Sequence, residues 1–459
     1  MFPNLRAFAL FALALPVAGQ LPPQAVAQID AAAENALADS GAPSVSIAVV
    51  KDGRIAFVKA YGNARLKPIT AALPEMRYSI GSVSKQFTAG AILMLVEEGK
   101  LSLDDKVGRY LPNLTRADEV TIRQLLSHTS GYQDYYPLDY VAPFMQKPVT
   151  ADEILKTWAG KPLDFDPGTR WQYSNTNYVA AGRILERVTG MSLAAFLHAR
   201  VFGPLGMTGV IDLDEKSLTA SDAAGYTRFG LGPARPVAPE GRGWLFAAGE
   251  LAMTARDLAQ WDVSLIEHKL LKPASLDAMM NPVRLKNGAP MGYALGVGVS
   301  DADGHPRLQH GGAVSGFVSL NTVWPDARAA VVVFANMDGS SAPGSITNRI
   351  APLLLAEAED PQAAPQLDQA RRVFSGLQEG QIDRSLLNSD ADAYFTPQVL
   401  QDAAASLKPL GAPESFRQTS VELRGGMTYR HFQIAFAGKP LHLSTFTTVD
   451  GKLAQYLIQ

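Results

Sequence analysis

The hydrophobic and polar positions along the chain form two regions of strand-like alternation around a long helical region. Near the start, alternating runs at residues 44–50 and 54–61 flank Asp52-Gly53, a dipeptide that favours a hairpin turn. Helical spacing, with interspersed Pro and Gly, prevails from about residue 80 to 280. Strand patterns then return at residues 295–299, 305–314, 317–324 and 329–334. This order predicts an α+β arrangement in which strands from both ends form one sheet lobe, with a helical lobe inserted.

A different organisation follows the Pro-containing segment at residues 358–365, which is typical of a linker. Residues 370–377 and 398–407 have helical spacing, and four strand-like runs come after them, at residues 415–423, 429–437, 441–449 and 453–458. Helices followed by an antiparallel meander predict a separate small α+β domain over residues 359–459.

The N-terminus has the pattern of a secretory signal peptide. A short positively charged start precedes an apolar run at residues 7–15, and small residues follow it. We expect a leader over residues 1–27, cleaved after Gly19 or Ala27, and a periplasmic or secreted protein. The alternative is a first buried helix. The apolar run is shorter than the roughly 20 residues that a membrane-spanning helix needs, so no membrane span is expected in the mature chain.

Composition narrows the possible function. The chain of 459 residues is 47% hydrophobic and 19% charged, which is ordinary for a protein with a buried core. Its formal net charge of −3 comes without a basic block, so a nucleic-acid partner has no support. The absence of cysteine excludes disulfides, thiolate metal sites and a cysteine nucleophile. The seven histidines form no metal-binding pattern, and we predict no metal or cofactor. No feature indicates an oligomeric state.

Ser82-Val83-Ser84-Lys85 opens a segment of helical spacing that ends at Gly99. Ser82 would stand at the N-terminus of this helix, with Lys85 one turn later on the same face. An amine that is partly neutral can take the proton of a serine hydroxyl, and a helix N-terminus favours developing negative charge. This interpretation makes Ser82 a nucleophile and Lys85 its base. The alternative is a serine that only caps the helix, with a solvated lysine.

A second motif, Tyr173-Ser174-Asn175, lies on a predicted loop before a helix at residues 178–189. A tyrosine near an ammonium group can have a lowered pKa and act as a general base. The Asn175 amide could hold Lys85 or a substrate carbonyl. The alternative is an interior tyrosine with its hydroxyl satisfied.

A third motif, His310-Gly311-Gly312-Ala313, lies on a predicted strand. Glycine in a strand often marks the close approach of a ligand, so Gly312 would let substrate lie along the strand while the Ala313 N–H points at an oxyanion. The alternative is a strand bulge with a surface histidine.

Together, and in this order, the three motifs resemble those of the serine β-lactamase and penicillin-binding-protein superfamily, in particular its branch of class C β-lactamases and D-aminopeptidases or esterases. The resemblance extends over roughly residues 30–355. It implies a β-lactamase/transpeptidase-like fold for residues 28–358, with an antiparallel sheet lobe flanked by helices. Residues 359–459 resemble small domains of the nuclear transport factor type in their order of elements.

The resemblance also implies a function: an exported serine hydrolase that acts through an acyl-enzyme on an ester, an amide or a D-amino-acid-containing peptide. Ser82 would be the acylated nucleophile, and Lys85 and Tyr173 would share the role of general base. Asn175 would position the acyl side chain. The N–H groups of Ser82 and Ala313 would form the oxyanion hole.

The chain departs from β-lactamases and transpeptidases at His310, where those enzymes usually carry a lysine that attracts the substrate carboxylate. Histidine is mostly neutral at pH 7, so we expect slow or absent lactam turnover. Two alternatives remain: a penicillin-binding or cell-wall-sensing protein with little turnover, and a weak class C-type β-lactamase. His128, beside residues 129–131, is interpreted as a structural loop histidine satisfied by backbone.

Overall fold

The computed structural model describes residues 21–302, 304–355, 362–436 and 439–459. The chain divides into two compact units, with the division between Ala356 and Glu357. The apolar run predicted as the centre of a leader lies outside the described residues. In the described part of the chain, no helix combines the length and the apolar character needed to cross a membrane.

The larger unit is built on a seven-stranded antiparallel sheet. Along the chain, the strands of this unit are β1 (Ser44–Lys51), β2 (Arg54–Leu66), β3 (Ile69–Ala71), β4 (Tyr78–Ser79), β5 (Ile211–Asp212), β6 (Tyr226–Thr227), β7 (Arg235–Pro236), β8 (Leu251–Met253), β9 (Gly298–Ala302), β10 (His305–Val314), β11 (Phe317–Trp324) and β12 (Ala329–Ala335). The order in the large sheet is β3-β2-β1-β12-β11-β10-β9, so strands from the two ends of the unit pair at its centre. The short strands form a β4-β8-β5 sheet and a β6-β7 hairpin.

Helices cover both faces of the large sheet and form the inserted lobe. They are α1 (Pro23–Ser40), α2 (Lys85–Glu97), α3 (Ile122–Leu126), α4 (Ala151–Ile154), α5 (Asn175–Thr189), α6 (Leu193–Leu197), α7 (Gly203–Leu205), α8 (Ala255–Ile266), α9 (Pro273–Met280) and α10 (Ala342–Leu354). The first turn before α2, Gly81–Ser84, is a 3₁₀ helix. Helix α2 is buried from Lys85 through Leu95, so it is the central helix of the unit rather than an amphipathic surface helix.

Strand β12 contributes side chains to the hydrophobic cores on both faces of the sheet. Every residue of β12 is buried. Because successive side chains point to opposite faces, Val331 and Val333 pack in the cluster with α1 and α10, and Val332 and Phe334 pack in the larger cluster with α2 and α8. The fold class predicted from the sequence is therefore confirmed for this unit: an antiparallel sheet lobe flanked by helices, with a helical lobe inserted.

Two predicted elements have different bounds in the structure. Helical spacing at residues 28–38 predicts the first helix, but in the structure this helix begins at Pro23, because Pro is favoured in the first turn and costs no hydrogen bond there. The strand predicted at residues 295–299 begins only at Gly298. Gly296 has φ +81°, and a Cβ at this position would lie 2.8 Å from the Ala89 Cβ and 2.9 Å from the Lys85 carbonyl oxygen. The chain therefore makes a tight turn against α2 before the strand starts.

The smaller unit has its own sheet and core. It consists of α11 (Ala363–Gln378), α12 (Ser389–Tyr394), α13 (Pro397–Leu407), β13 (Ser415–Arg424), β14 (Met427–Phe436), β15 (Lys439–Thr447) and β16 (Leu453–Ile458). The strands form an antiparallel meander in sequence order. Inward residues such as Phe432 and Leu443 pack against Val373 and Phe374 of α11. This is the predicted α+β order of helices followed by strands.

Candidate active site

Ser82 lies in the 3₁₀ turn Gly81–Ser84, directly before α2. In the stretch from residue 81 through 95, Ser82 alone is not buried. Gly81 has φ +50°, and a Cβ on it would lie 3.1 Å from both the Ala313 nitrogen and the Val314 Cγ1. Glycine at this position thus allows the serine turn to lie directly against β10. The turn that carries Ser82 and the backbone of Ala313 are therefore adjacent, although they are far apart in the sequence.

Lys85 is buried, and its Nζ has three hydrogen-bond acceptors. It donates to Ser82 Oγ at 2.9 Å, to Asn175 Oδ1 at 2.7 Å and to the Ala248 carbonyl oxygen at 2.6 Å. These acceptors match the three N–H groups of an ammonium. Burial lowers the pKa of Lys85 to about 7, against the opposing effect of two carboxylates. A substantial fraction of Lys85 is therefore a neutral amine near pH 7, with a lone pair in reach of the Ser82 hydroxyl.

Tyr173 lies on the loop before α5, with its ring centroid 5.0 Å from Lys85 Nζ. Burial raises the pKa of Tyr173 above its ordinary value, although a hydrogen bond with Ser82 acts in the opposite direction. The sequence-based expectation of a lowered pKa is therefore wrong, because the loss of water around the phenol outweighs its polar contacts. Tyr173 is a neutral phenol at neutral pH and can donate a proton to the reaction site.

The sequence predicted Asn175 on the loop before α5, but in the structure Asn175 is the first residue of this helix. Its Oδ1 accepts from Lys85, and its Nδ2 donates to the two carboxylate oxygens of Asp134 at 3.2 and 3.3 Å. The Asn175 backbone N–H also donates to Asp134, at 2.9 Å. The amide is thus held between Lys85 and a carboxylate, which makes Asn175 a support for Lys85.

Asp134 is a site residue that the sequence analysis missed. It lies in the loop three residues after Gly131, with no motif of its own. Its charge raises the pKa of Lys85 and so opposes the effect of burial. The available signal was its position: it closely follows residues 121–131, a segment that already resembles the superfamily.

His310 is buried on β10, and both of its ring nitrogens have partners. Nδ1 lies 2.6 Å from the Gly311 carbonyl oxygen, and Nε2 lies 2.8 Å from the Tyr293 hydroxyl. A carbonyl can only accept, so these contacts assign the proton to Nδ1 and make Nε2 the acceptor from Tyr293. Burial, with a smaller effect of Lys85, lowers the pKa of His310 to about 4. The strand therefore presents an uncharged imidazole at neutral pH.

Gly312 has a different role from the one predicted. A Cβ at this position would lie 1.9 Å from the Ile80 carbonyl oxygen and 2.4 Å from Ser319 Oγ. The glycine is needed so that β10 can lie against the chain just before Ser82, and protein atoms fill the space in which substrate was expected. Ala313, the next residue, is exposed and lies on the opposite side of the strand.

His128 packs beneath the loop that carries Tyr173. Its Nδ1 accepts from the Ser174 backbone N–H at 3.2 Å, and its ring centroid lies 4.2 Å from that of Tyr173 and 4.8 Å from that of Tyr293. Burial holds the pKa of His128 well below its usual value. A backbone group satisfies one ring nitrogen, as the sequence analysis expected, but the contact with Tyr173 was not foreseen. Among the residues that the structure describes, no three histidine or acidic side chains are grouped closely enough to bind a metal ion.

Comparison with known sequences assigns the family. The sequence profile of the Beta-lactamase family matches residues 29–355. The chain belongs to the Beta-lactamase family. This confirms the resemblance inferred from the three motifs, whereas the nuclear transport factor type of the smaller unit stays a prediction.

Similar proteins include one that is named as a putative penicillin-binding protein. The chain is 29% identical over 311 residues to the putative penicillin-binding protein PbpX of Bacillus subtilis, an alignment that covers 67% of this chain and 74% of that protein. It is 29% identical over 327 residues to the protein flp of Staphylococcus aureus, covering 69% of this chain and 64% of that protein.

Solved structures show the same fold. A D-stereospecific amidohydrolase from Streptomyces is 28% identical, has a TM-score of 0.62 and covers 70% of this chain and 97% of its own. A penicillin-binding protein homologue from Pyrococcus abyssi is 22% identical with a TM-score of 0.63, covering 95% of this chain and 100% of its own. The D-amino acid amidase of Ochrobactrum anthropi is 23% identical with a TM-score of 0.64, covering 72% and 99% respectively. The last two comparisons concern the fold alone.

Proposed function

We propose that this protein is an exported serine hydrolase that forms an acyl-enzyme on Ser82. The observation that carries the proposal is the contact of Lys85 Nζ with Ser82 Oγ at 2.9 Å, together with the pKa of about 7 that burial imposes on Lys85. A buried amine with this pKa can accept a proton at neutral pH, which a solvated lysine cannot do. A helix-capping serine with a solvated lysine does not account for this arrangement.

In the acylation step, neutral Lys85 takes the Ser82 proton while Oγ attacks the carbonyl carbon of the substrate. Negative charge develops on the carbonyl oxygen, and we assign the N–H groups of Ser82 and Ala313 as its donors. The Tyr173 phenol donates its proton to the leaving group and regains one from protonated Lys85. The serine proton thereby reaches the leaving group, and Lys85 returns to its neutral form.

Deacylation uses the same groups in reverse. A water molecule loses a proton toward Lys85, through Tyr173, and attacks the ester carbon. The Ser82 oxygen leaves and takes that proton back. Asn175 and Asp134 keep Lys85 in place throughout, through the hydrogen bonds at 2.7 and 3.2 Å. Asn175 is thus proposed as a positioning residue rather than as a contact for the acyl group.

The proposed substrate is an ester, an amide or a D-amino-acid-containing peptide. The neutral state of His310 supports this range, because an uncharged imidazole offers little attraction to a substrate carboxylate. The 28% identity to a D-stereospecific amidohydrolase gives further support for an amide substrate. We expect lactam hydrolysis to be slow.

The experiment is covalent labelling followed by a turnover panel. A fluorophosphonate probe should label the wild-type protein at Ser82, and Ser82→Ala should lose the label. Ser221→Ala, an exposed serine on a surface loop, is the matched control and should label fully. The panel consists of nitrocefin, p-nitrophenyl acetate and butyrate, D-Ala-p-nitroanilide and a D-Ala-D-Ala peptide. Undiminished labelling of Ser82→Ala would rule out the assignment.

A second candidate function is a penicillin-binding or cell-wall-sensing protein with little turnover. The similarity to a putative penicillin-binding protein favours it. It predicts that one equivalent of a penicillin probe is bound and no steady-state product appears. Sustained turnover of an ester, anilide or peptide in the panel decides for the hydrolase, and turnover of nitrocefin alone would decide for a weak class C-type β-lactamase.

We further propose that the leader is cleaved after Gly19 rather than after Ala27. Helix α1 begins at Pro23, and Leu21 before it is buried in the core cluster of α1 and α10. Cleavage after Ala27 would remove the first turn of the helix and this apolar contact. N-terminal sequencing of the exported protein should begin at Gln20, and a mature protein that begins at Gln28 would contradict the assignment.

A further inference from the structure

A cavity of about 320 Å³ lies beside the turn that carries Ser82. Ser79 and Leu245 line one side of it, and Val314 lines another. Val314 directly follows Ala313 and approaches Gly81, where an added Cβ would lie 3.1 Å from the Val314 Cγ1. The cavity therefore adjoins the end of β10, one residue beyond Ala313 and next to the Ser82 turn.

The carboxylate of Glu240 lines this cavity and is fixed in place from two sides. Its Oε1 accepts from the Ser315 backbone N–H at 3.1 Å and from the Tyr136 hydroxyl at 2.9 Å. Ser315 lies two residues beyond Ala313, a separation of about 7 Å along an extended chain. The carboxylate is thus held at a fixed distance from the amide that we assign to the oxyanion hole.

The hydroxyl of Ser79 provides an independent sign that the cavity binds a polar group. Ser79 is 3% exposed and lines the cavity, and its Oγ has no hydrogen-bond partner within the described ranges. Buried hydroxyl groups are nearly always hydrogen-bonded in native proteins. A ligand that donates a hydrogen bond at this end of the cavity would supply the partner that Ser79 Oγ lacks.

The cations around the cavity do not neutralise Glu240. Arg65 donates to the backbone carbonyls of Thr219, Ala220 and Asp222. Arg242 acts on another carboxylate, Asp214, where its charge opposes the larger effect of burial, which raises the pKa of Asp214. In the part of the chain that the structure describes, the partners of Glu240 are a hydroxyl and a backbone amide, and no lysine or arginine forms an ion pair with it.

We propose that Glu240 binds the ammonium group of the substrate, so that the enzyme acts on aminoacyl amides and esters with a free α-amino group. This inference rests on the proposed function of Ser82. In such a substrate the amino nitrogen is bonded to the carbon next to the reacting carbonyl. The ammonium group would then reach the Glu240 carboxylate, which is held beside the end of β10 by Ser315. The uncharged His310 complements this choice, because the site then selects the amino end of a substrate and not its carboxylate.

The test compares D-Ala-p-nitroanilide with its N-acetyl derivative, with the L forms measured in parallel. Wild-type protein should cleave the free-amine form about 30-fold faster in kcat/KM, since a charge-assisted hydrogen bond is lost on acetylation. Glu240→Gln keeps an oxygen for Ser315 and Tyr136 but removes the charge. It should reduce kcat/KM for the free amine about 30-fold and leave p-nitrophenyl acetate hydrolysis within about twofold.

Glu215→Gln is the matched control, because Glu215 is exposed and its loss changes the net charge equally. It should leave the preference for the free amine unchanged. Equal cleavage of the acetylated and free substrates, a uniform loss on all substrates in Glu240→Gln, or hydrolysis of p-nitrophenyl acetate with neither anilide cleaved would overturn the inference. If the wild-type protein shows no acylation at Ser82, the proposed function is overturned instead.

Discussion

The candidate site has a helix wall, which carries Lys85 on α2, and a strand wall, which carries His310 on β10. Each wall thus contains a buried nitrogen base. On the helix wall, burial lowers the pKa of Lys85 only to about 7, because the charges of Asp134 and Glu250 oppose it. On the strand wall, burial lowers the pKa of His310 to about 4, and the charge of Lys85 adds to the effect. The same physical cause thus leaves one base able to exchange a proton at neutral pH and the other uncharged.

This difference separates chemistry from recognition. On the helix wall, Asn175 accepts a hydrogen bond from Lys85 and donates one to the Asp134 carboxylate. With this carboxylate nearby, the pKa of Lys85 stays near neutral pH. The strand wall supplies an imidazole engaged by Tyr293 and a backbone carbonyl. A site built this way can activate a serine, and it lacks the charge on the strand that would attract a carboxylate. Substitutions at three positions, Lys85, His310 and Asp134, test this difference.

The largest effect is expected from removing the base itself. Lys85→Met keeps a buried chain of similar length without an amine, and Lys85→Arg keeps a charge that does not dissociate at neutral pH. Both should slow phosphonylation of Ser82 by a fluorophosphonate roughly 1000-fold, the size of a general-base contribution. Lys216→Met, at an exposed lysine, should label at the wild-type rate. An arginine variant within about tenfold of wild type, with unchanged thermal unfolding, would show that Lys85 does not act as the base.

A smaller effect is expected from placing a cation on the strand wall. His310→Lys should increase the acylation rate by substrates with a carboxylate, such as nitrocefin and a D-Ala-D-Ala peptide, by about fivefold relative to p-nitrophenyl acetate. His310→Gln, which stays neutral, serves as the control and should give no such gain. If the neutral variant gains as much as the lysine variant, charge at this position does not govern recognition.

The smallest effect is a shift along the pH axis. The charge of Asp134 raises the pKa of Lys85, so its removal in Asp134→Asn should lower that pKa further. Lys85 would then become neutral at lower pH, and the rising limb of the acylation rate should move down by about one pH unit. Stopped-flow acylation between acidic and neutral pH measures the shift. An unchanged or upward-shifted limb would contradict the role given to Asp134.

The sequence predicted the fold and the motif residues well where local patterns determine them. Strand β11 has the predicted bounds, residues 317–324, because a turn closes each end of an uninterrupted run. The first two motifs meet at Lys85 Nζ, and the third motif lies against the Ser82 turn at Ala313, as their chemistry and order had indicated.

The parts that were missed depend on tertiary contacts. Asp134 lies on a loop with no motif, and only the folded chain brings it to Asn175. Glu240 likewise meets Ser315 only in the folded chain. The expected pKa of Tyr173 was wrong because burial cannot be read from a loop sequence. Gly312 was assigned to substrate because its true neighbour, the Ile80 carbonyl, comes from a distant segment.

The central claim is that neutral Lys85 activates Ser82, and pre-steady-state acylation by p-nitrophenyl acetate as a function of pH tests it most directly. The acetylated residue would be located by peptide mass spectrometry at each pH. We expect acetyl on Ser82, with a rate that rises as pH increases through about 7 and then reaches a plateau. An acetyl group on another residue, or a rate that does not change from about pH 5 to about pH 9, would contradict it.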